Sequence, residues 1–360
     1  MHAVEGIRRR QRRLSAILLG VAIAFAVMEI GGRIWLFGFA PTSQFSQYAP
    51  LAEVPERYRL YRGHQYLSYC LNEAYRSRDG LNRHNSVGYR GDEIERTKPA
   101  GVYRILCLGG STTYETAIAD YRLSFPDQME RILREEHGAT QVEVINAGCG
   151  GWSSWESLID LQFRGLSLDP DLVVVYCGTN DVHPRLVPPE AYRRDNSGFR
   201  RAWQPDTGLL EHSLVLRRLG ILFGWSSKNS VGSLTEVDHP HVDEGANLAA
   251  NPPTHFADNL EDMVAVCRHH GVDIMLATWA WCGAKDDYAA RPYYQRGFQE
   301  SNDVVREVAE RNGVGLFDFV TVMPTDPTYW SDGRHVNEEG ARVKAELFAG
   351  FIAEHYLHSR

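Results

Sequence analysis

The stretch Tyr103-Arg104-Ile105-Leu106-Cys107-Leu108-Gly109-Gly110-Ser111-Thr112-Thr113 decides the fold. Its first six residues are a mostly apolar run, and two glycines then turn the chain ahead of a serine. Such a run bounded by a turn reads as a buried strand. A serine just past its C-terminal end stands at the edge of a parallel sheet, where α/β proteins build their sites. Taken alone, Ser111 reads first as a helix N-cap, a position serine favours; the other motifs reverse that balance. Residues 171–177 form the clearest buried strand in the chain. Further strands are expected over 141–145, 272–278 and 314–319, with helices over 125–136, 155–165, 256–270, 301–312 and 338–356. In the first of these helices Phe125, Met129, Ile132 and Leu133 fall on one face. Strands and helices alternating at these lengths predict a parallel sheet covered by helices on both faces.

Three more islands follow Ser111 in order: Asn146 to Gly151, Gly178-Thr179-Asn180-Asp181, and Asp332-Gly333-Arg334-His335-Val336-Asn337. Asp332 and His335 are close enough in the chain to converge on one point. His335 could take the proton of Ser111 and later return it to a leaving group, while Asp332 orients the imidazole and stabilises its charged form. A glycine at 151 lets a backbone N–H approach a substrate closely, and the Asn180 carboxamide can donate to the same oxyanion. Each island also has a plainer reading: a turn at Gly150-Gly151, a loop cap at Asn180, a surface loop ahead of a helix started by Asn337, Glu338 and Glu339. Together, in this order, the plainer readings account for the sequence less well than acyl-transfer chemistry does.

On these motifs the sequence resembles the SGNH/GDSL hydrolase family, from Arg104 to the C-terminus apart from an insertion. The resemblance implies a flavodoxin-like three-layer α/β/α sandwich with a parallel sheet. It implies Ser111 as nucleophile, Asp332 and His335 completing the triad, and an oxyanion hole formed by the Ser111 amide, Gly151 and Asn180. The family's spacing favours Gly151 over Gly148 or Gly150. One departure is plain: the family's Gly-Asp-Ser appears here as Gly109-Gly110-Ser111, with Gly110 in place of aspartate. The rival α/β-hydrolase class requires a G-x-S-x-G elbow, and no serine here has glycine on both required sides.

The remaining sequence bounds where this chemistry takes place. The 360 residues carry a formal charge of -8, which argues against nucleic acid as a partner of the whole chain. The N-terminus is the exception, with Arg8, Arg9, Arg10, Arg12 and Arg13 standing before an apolar run from Leu14 to Met28. A spanning helix needs ~20 apolar residues, and continuing to about Phe39 reaches that length at the cost of Glu29 and Arg33, one turn apart and able to pair. Residues 1–40 are therefore expected to be a basic cytoplasmic tail and membrane anchor, with the rest periplasmic or extracellular by the positive-inside rule. A cleaved signal peptide is the alternative. Such an anchor and strap also resemble membrane-anchored bacterial members of the family. Residues 41–100, polar and tyrosine-rich without period, are expected to be a stalk and strap, and 101–360 the catalytic domain. Within it, 182–255 is rich in Pro, Gly, Arg and Trp, with one helix expected over 214–223, and reads as a cap-like insertion.

Other features carry less. The cysteines Cys70, Cys107, Cys149, Cys177, Cys267 and Cys282 form no C-x-x-C pair, and Cys107, Cys177 and Cys267 read as buried small hydrophobes. The run Asp238-His239-Pro240-His241-Val242-Asp243 has too few further ligands for a metal site, so neither metal nor cofactor is expected. Trp152, Trp279 and Trp281 lie near the site loops in sequence and are candidate substrate contacts or, equally, packing residues beneath the cap or against a helix. The expected function is a serine esterase without metal or nucleotide. Its expected substrate is a small-molecule, lipid or glycan ester, foremost an O-acetyl group on an envelope or extracellular glycan. An O-acyltransferase using the same triad and a non-catalytic glycan-binding or assembly protein are the rivals. Nothing in the sequence sets the oligomeric state.

Overall fold

The computed structural model describes residues 2–205, 208–285 and 288–357; Asp206 and Thr207, within the expected insertion, and the last three residues of the expected catalytic domain lie outside these. In chain order the helices are α1 (His2–Gly38), α2 (Thr42–Tyr48), α3 (Ser111–Tyr114), α4 (Phe125–Glu135), α5 (Ser154–Phe163), α6 (Leu214–Leu222), α7 (Val231–Thr235), α8 (Glu244–Ala250), α9 (Thr254–His270), α10 (Pro292–Asn312) and α11 (Glu338–Ile352). The strands are β1 (Tyr61–His64), β2 (Ser68–Leu71), β3 (Tyr103–Gly109), β4 (Val142–Gly148), β5 (Leu172–Tyr176), β6 (Asp273–Ala277) and β7 (Gly315–Phe317).

The chain divides into two units, Met1–Arg59 with Gln204–Leu234, and Leu60–Trp203 with Thr235–Arg360. The larger unit holds a five-stranded sheet in the order β4-β3-β5-β6-β7, every neighbouring pair parallel. This is the flavodoxin-like order, in which ligands bind where the strand order reverses. Successive side chains point to opposite faces. Ile105, Cys107, Leu172, Val174 and Met275 pack on one side with Phe125 and Met129 of α4 and Phe348 of α11. Leu106, Leu108, Val173, Val175 and Leu276 pack on the other with Leu158 of α5, Leu260 and Met263 of α9 and Val305 of α10. Register places Gly109 opposite both Gly148 and Tyr176, so the loops leading to Ser111, Gly151 and Asn180 leave the sheet at one edge.

Three details differ from the sequence expectations. The helix expected from Ser301 starts at Pro292, a residue suited to the first helical turn. Gly297 does not break it: a Cβ there would meet Val182 Cγ1 at 2.9 Å, so the glycine is a close-packing position. The region 41–100, expected to be a stalk and strap and assigned no helix or strand, contains α2 and the β1–β2 hairpin. Of the expected insertion, 204–234 belongs to the smaller unit and the flanking residues to the larger.

The smaller unit packs around Leu36, Ala40, Phe45, Ala49, Val54 and Leu214. Its α1 is, among the described residues, the one helix long and apolar enough to cross a membrane; a signal sequence has the same properties. Glu29 and Arg33 pair at 2.7 Å on one face of it. All six cysteines are buried thiols.

Candidate active site

Ser111 opens α3 immediately after β3 and the two glycines. His335 lies on the loop before α11, whose N-terminus is capped by the Asn337 side chain accepting from Gly340 N–H at 3.0 Å. His335 Nε2 stands 2.8 Å from Ser111 Oγ. On the far side of the ring, Nδ1 is 2.8 Å from Asp332 Oδ2. Asp332 Oδ1 accepts from the backbone N–H groups of Arg334 and His335, each at 2.7 Å. Burial pushes the Asp332 carboxyl up, but the bond to His335, the imidazole's charge and these two N–H groups outweigh it. The carboxyl is held well below the usual range, so Asp332 stays an acceptor across ordinary pH.

Asn180 and Gly151 stand at the same sheet edge. The Asn180 carboxamide donates from Nδ2 to the Trp152 carbonyl at 2.8 Å, which fixes the amide plane and leaves its second N–H to donate elsewhere. Gly151 has φ +84°, a conformation that favours glycine. Neither its N–H nor that of Ser111 has an acceptor among the described residues. A Cβ on Gly110 would fall 2.4 Å from Asn180 Nδ2 and 2.9 Å from the Trp152 carbonyl oxygen. In this protein, then, a side chain at the position where the resemblance would place aspartate would crowd Asn180 and the Trp152 carbonyl.

Two of the three tryptophans pack in the interior. Trp152 and Trp279 are buried core residues. Trp152 donates to the Tyr69 carbonyl at 3.2 Å. The Trp279 backbone is clamped by Asn302, which accepts from its N–H at 2.7 Å and donates to its carbonyl at 2.9 Å. Of the three, only Trp281 keeps partly exposed ring surface, stacked on Trp279 at 6.1 Å.

Other residues around the site were not singled out by sequence. Arg90, in the strap and buried, donates to the carbonyls of Tyr114, Glu115 and Ile118, holding the end of α3 and the turn beyond it. Tyr69 donates to the Gly150 carbonyl at 3.0 Å. Arg200 donates to the Gly151 carbonyl. Behind the serine, Lys344 of α11 donates to the Thr112 carbonyl and to Glu115 at 2.5 and 2.7 Å, over the rings of Phe125 and Tyr176. Burial pushes the Glu115 carboxyl up and the Lys344 amine down, while their mutual attraction opposes both shifts. Asp181 accepts from Ser154 N–H and Oγ at 2.9 and 2.5 Å, and burial raises its carboxyl to about 6. Apart from Asp181, which ends the third motif, each is an isolated polar or charged residue with no catalytic motif of its own. Among the described residues no group of three or more His, Cys, Asp or Glu is placed to hold a metal; His239 instead has Nε2 2.7 Å from the Gly198 carbonyl.

The class is shown by sequence similarity, that of a GDSL-type hydrolase. The sequence profile of the GDSL-like Lipase/Acylhydrolase family matches residues 107–343, and the chain belongs to that family. No curated protein matches it significantly. Similar solved structures include the acetyl xylan esterase AlAXEase, at 15% identity and TM-score 0.43, covering 69% of this chain and 99% of that one. The lipase/acylhydrolase from Enterococcus faecalis gives 19% identity and TM-score 0.44, covering 70% and 96%. TesA gives 18% identity and TM-score 0.41, covering 69% and 97%.

Proposed function

We propose that the protein is a serine esterase that forms an acyl-enzyme on Ser111. The observation that carries this reading is the unbroken relay from Ser111 Oγ to His335 Nε2, and from His335 Nδ1 to Asp332, at 2.8 Å in each step. His335 takes the Ser111 proton as Oγ attacks the ester carbonyl. The N–H groups of Ser111 and Gly151 and the Asn180 carboxamide receive the oxyanion. The tetrahedral intermediate collapses, His335 gives its proton to the departing alcohol, and the acyl group remains on Ser111. Water, deprotonated by His335, then releases the acid and restores the serine.

The substrate we favour is an O-acetyl or short acyl ester on an envelope or extracellular glycan, with lipid esters next. This follows from the placement we propose. The α1 helix spans the membrane, the cluster of Arg8, Arg9, Arg10, Arg12 and Arg13 stays cytoplasmic, and the catalytic unit lies outside. The test is release of p-nitrophenol from acetyl, butyryl and octanoyl esters by the full chain, with Ser111→Ala as control. Turnover lost in the variant supports the reading, and the chain-length profile separates acetyl from lipid substrates. Turnover retained in the variant removes Ser111 from the mechanism. Product analysis with a glycan acceptor separates transfer from hydrolysis, because both share the first half-reaction. Full biological function in Ser111→Ala would point to a non-catalytic glycan-binding role.

A further inference from the structure

Beyond its first residue Leu214, which joins the apolar core, the helix α6 buries a charge and exposes an apolar stripe. Its buried side includes Arg217, 1% exposed. That guanidinium pairs with Glu211 and donates to the carbonyls of Tyr48 and Ser227 and to Asn229 Oδ1 at 3.2, 3.0 and 2.9 Å. Its outer side is Leu216, Leu219, Leu222 and Phe223, all exposed, followed by the exposed Trp225. Leu222 and Trp225 are 74% and 72% exposed. The spacing of 216, 219, 222 and 223 makes one stripe on a helix. A surface helix of a protein in water shows the opposite order, with its apolar stripe inward and charge outward. An apolar exterior around a buried, fully bonded charge is what a helix facing lipid requires.

The same unit says what covers the stripe. The start of α6 is held by Glu29 of α1, whose carboxylate accepts from Ser213 Oγ, Leu214 N–H and Val215 N–H at 2.8, 2.9 and 3.0 Å. The side chain of Arg33 donates to it at 2.7 Å. One carboxylate inside an apolar helix is thereby satisfied without water. So are donors at the α6 N-terminus that would otherwise need solvent. The approach is close: a Cβ on Gly32 would meet Leu214 Cδ2 at 3.2 Å. Counting ~1.5 Å per residue from Leu14, a ~30 Å hydrocarbon layer ends near Ile34, so α6 begins about one turn or two inside that boundary. On α1 itself Ile30, Ile34, Trp35 and Phe39 are exposed at this level. The rings of Phe223 and Trp225 stack at 5.1 Å, and aromatic side chains are favoured where headgroups meet acyl chains.

We propose that the segment Leu209 to Trp225 is a second membrane contact. Its stripe of Leu216, Leu219, Leu222, Phe223 and Trp225 is seated in the outer headgroup–acyl boundary of the bilayer that α1 crosses. The inference rests on the reading of α1 as a span. Arg218 and Lys228, over the Tyr48 ring at 3.9 and 5.3 Å, flank the stripe with the positive charge that anionic headgroups attract.

The test uses the full chain in vesicles of phosphatidylethanolamine and phosphatidylglycerol. Single cysteines are introduced as Leu222→Cys, Trp225→Cys, Val21→Cys and Phe163→Cys, each labelled with an environment-sensitive fluorophore; the six native thiols are buried. Exposed Phe163 serves as the water control, and Val21 reports on α1. Quenching is read with lipids spin-labelled high or low on the acyl chain. The expected result is that labels at 222 and 225 are quenched by the shallow spin label at least about twofold more than the label at 163, as an interfacial depth of ~5–10 Å requires. The label at 21 should respond to the deep one. Deep quenching at 21 with labels at 222 and 225 behaving like 163 overturns the inference and leaves the span intact. Energy transfer between labels at 222 on different molecules, without lipid quenching, assigns the stripe to a second copy of the chain and also overturns it. A label at 21 that no lipid quenches removes the span, and the inference falls with it.

Discussion

The Arg200 guanidinium donates to the carbonyl oxygen of Gly151, so a residue well beyond β5 sets the orientation of the loop carrying a proposed oxyanion donor. Arg200 is itself held by Glu156, at 3.2 Å. Glu156 is buried and caps α5 by accepting from the N–H and hydroxyl of Ser153 at 2.8 and 2.6 Å. The loop and the helix after it are therefore locked through one side chain.

Arg200→Lys keeps the charge for Glu156 and loses the planar fork that also reaches the carbonyl. The expected outcome is a fall in kcat of about tenfold or more with little change in KM. Orientation of a donor acts in the transition state, where removing one outright costs about 10²–10³-fold. Steady-state kinetics on a p-nitrophenyl ester checks it; an effect confined to KM would mean that Arg200 acts on substrate binding instead.

Gly110 tests the fit around Asn180. A methyl group there would lie 2.4 Å from Asn180 Nδ2, displacing the carboxamide from its bond to Trp152. Gly110→Ala is expected to lower kcat as far as Asn180→Ala does, by about 10²-fold or more, and the double variant should be no worse than either single one. Additive losses in the double variant would show that the two positions act separately.

What was legible in the sequence follows from how each feature is encoded. The strand β5 was read to within a residue at each end because both its faces are buried, leaving an unbroken apolar run. Ser111, Asp332 and His335 stand in short motifs whose spacing survives without any knowledge of contacts. Arg90, Arg200 and Lys344 do not. A lone arginine or lysine is read as solvated because most are, and each of these gains its meaning from carbonyls remote in the chain. The tyrosine-rich strap hid its hairpin for a related reason: Tyr69 and Arg90 grip the site loops through polar atoms, which leaves no hydrophobic period to read. Trp152 and Trp279 were placed near the site by sequence proximity, which fixes neither the direction nor the burial of a side chain.

The buried pair of Lys344 and Glu115 should matter more to folding than its net contribution suggests, because removing one partner leaves an uncompensated charge. Lys344→Met is expected to destabilise the protein by roughly 3–5 kcal/mol. Lys344→Met combined with Glu115→Gln should recover much of that loss. Urea unfolding of the detergent-solubilised chain gives both values. A double variant as unstable as the single one would place the cost in packing against Phe125 and Tyr176 rather than in charge.

Asp181 makes stability depend on pH in a sense opposite to the usual carboxylate. Burial raises its folded value from 3.8 to about 6, so between these values the native state holds a proton that the unfolded chain has released. Its contribution to stability is greatest below pH 4. It falls as pH rises through that window and stays low above it, a swing of up to about 3 kcal/mol. Asp181→Asn carries no such charge and can still accept from Ser154. The melting temperature of the variant minus that of the wild type should therefore become more positive from pH 4 to pH 7. Other titrating groups, Asp127 among them, are common to both proteins and cancel in the difference. Thermal unfolding at a series of pH values measures it directly. A difference that stays flat across the window would mean that Asp181 is ionised in the folded protein at pH 4, with its charge compensated by the Ser154 donors.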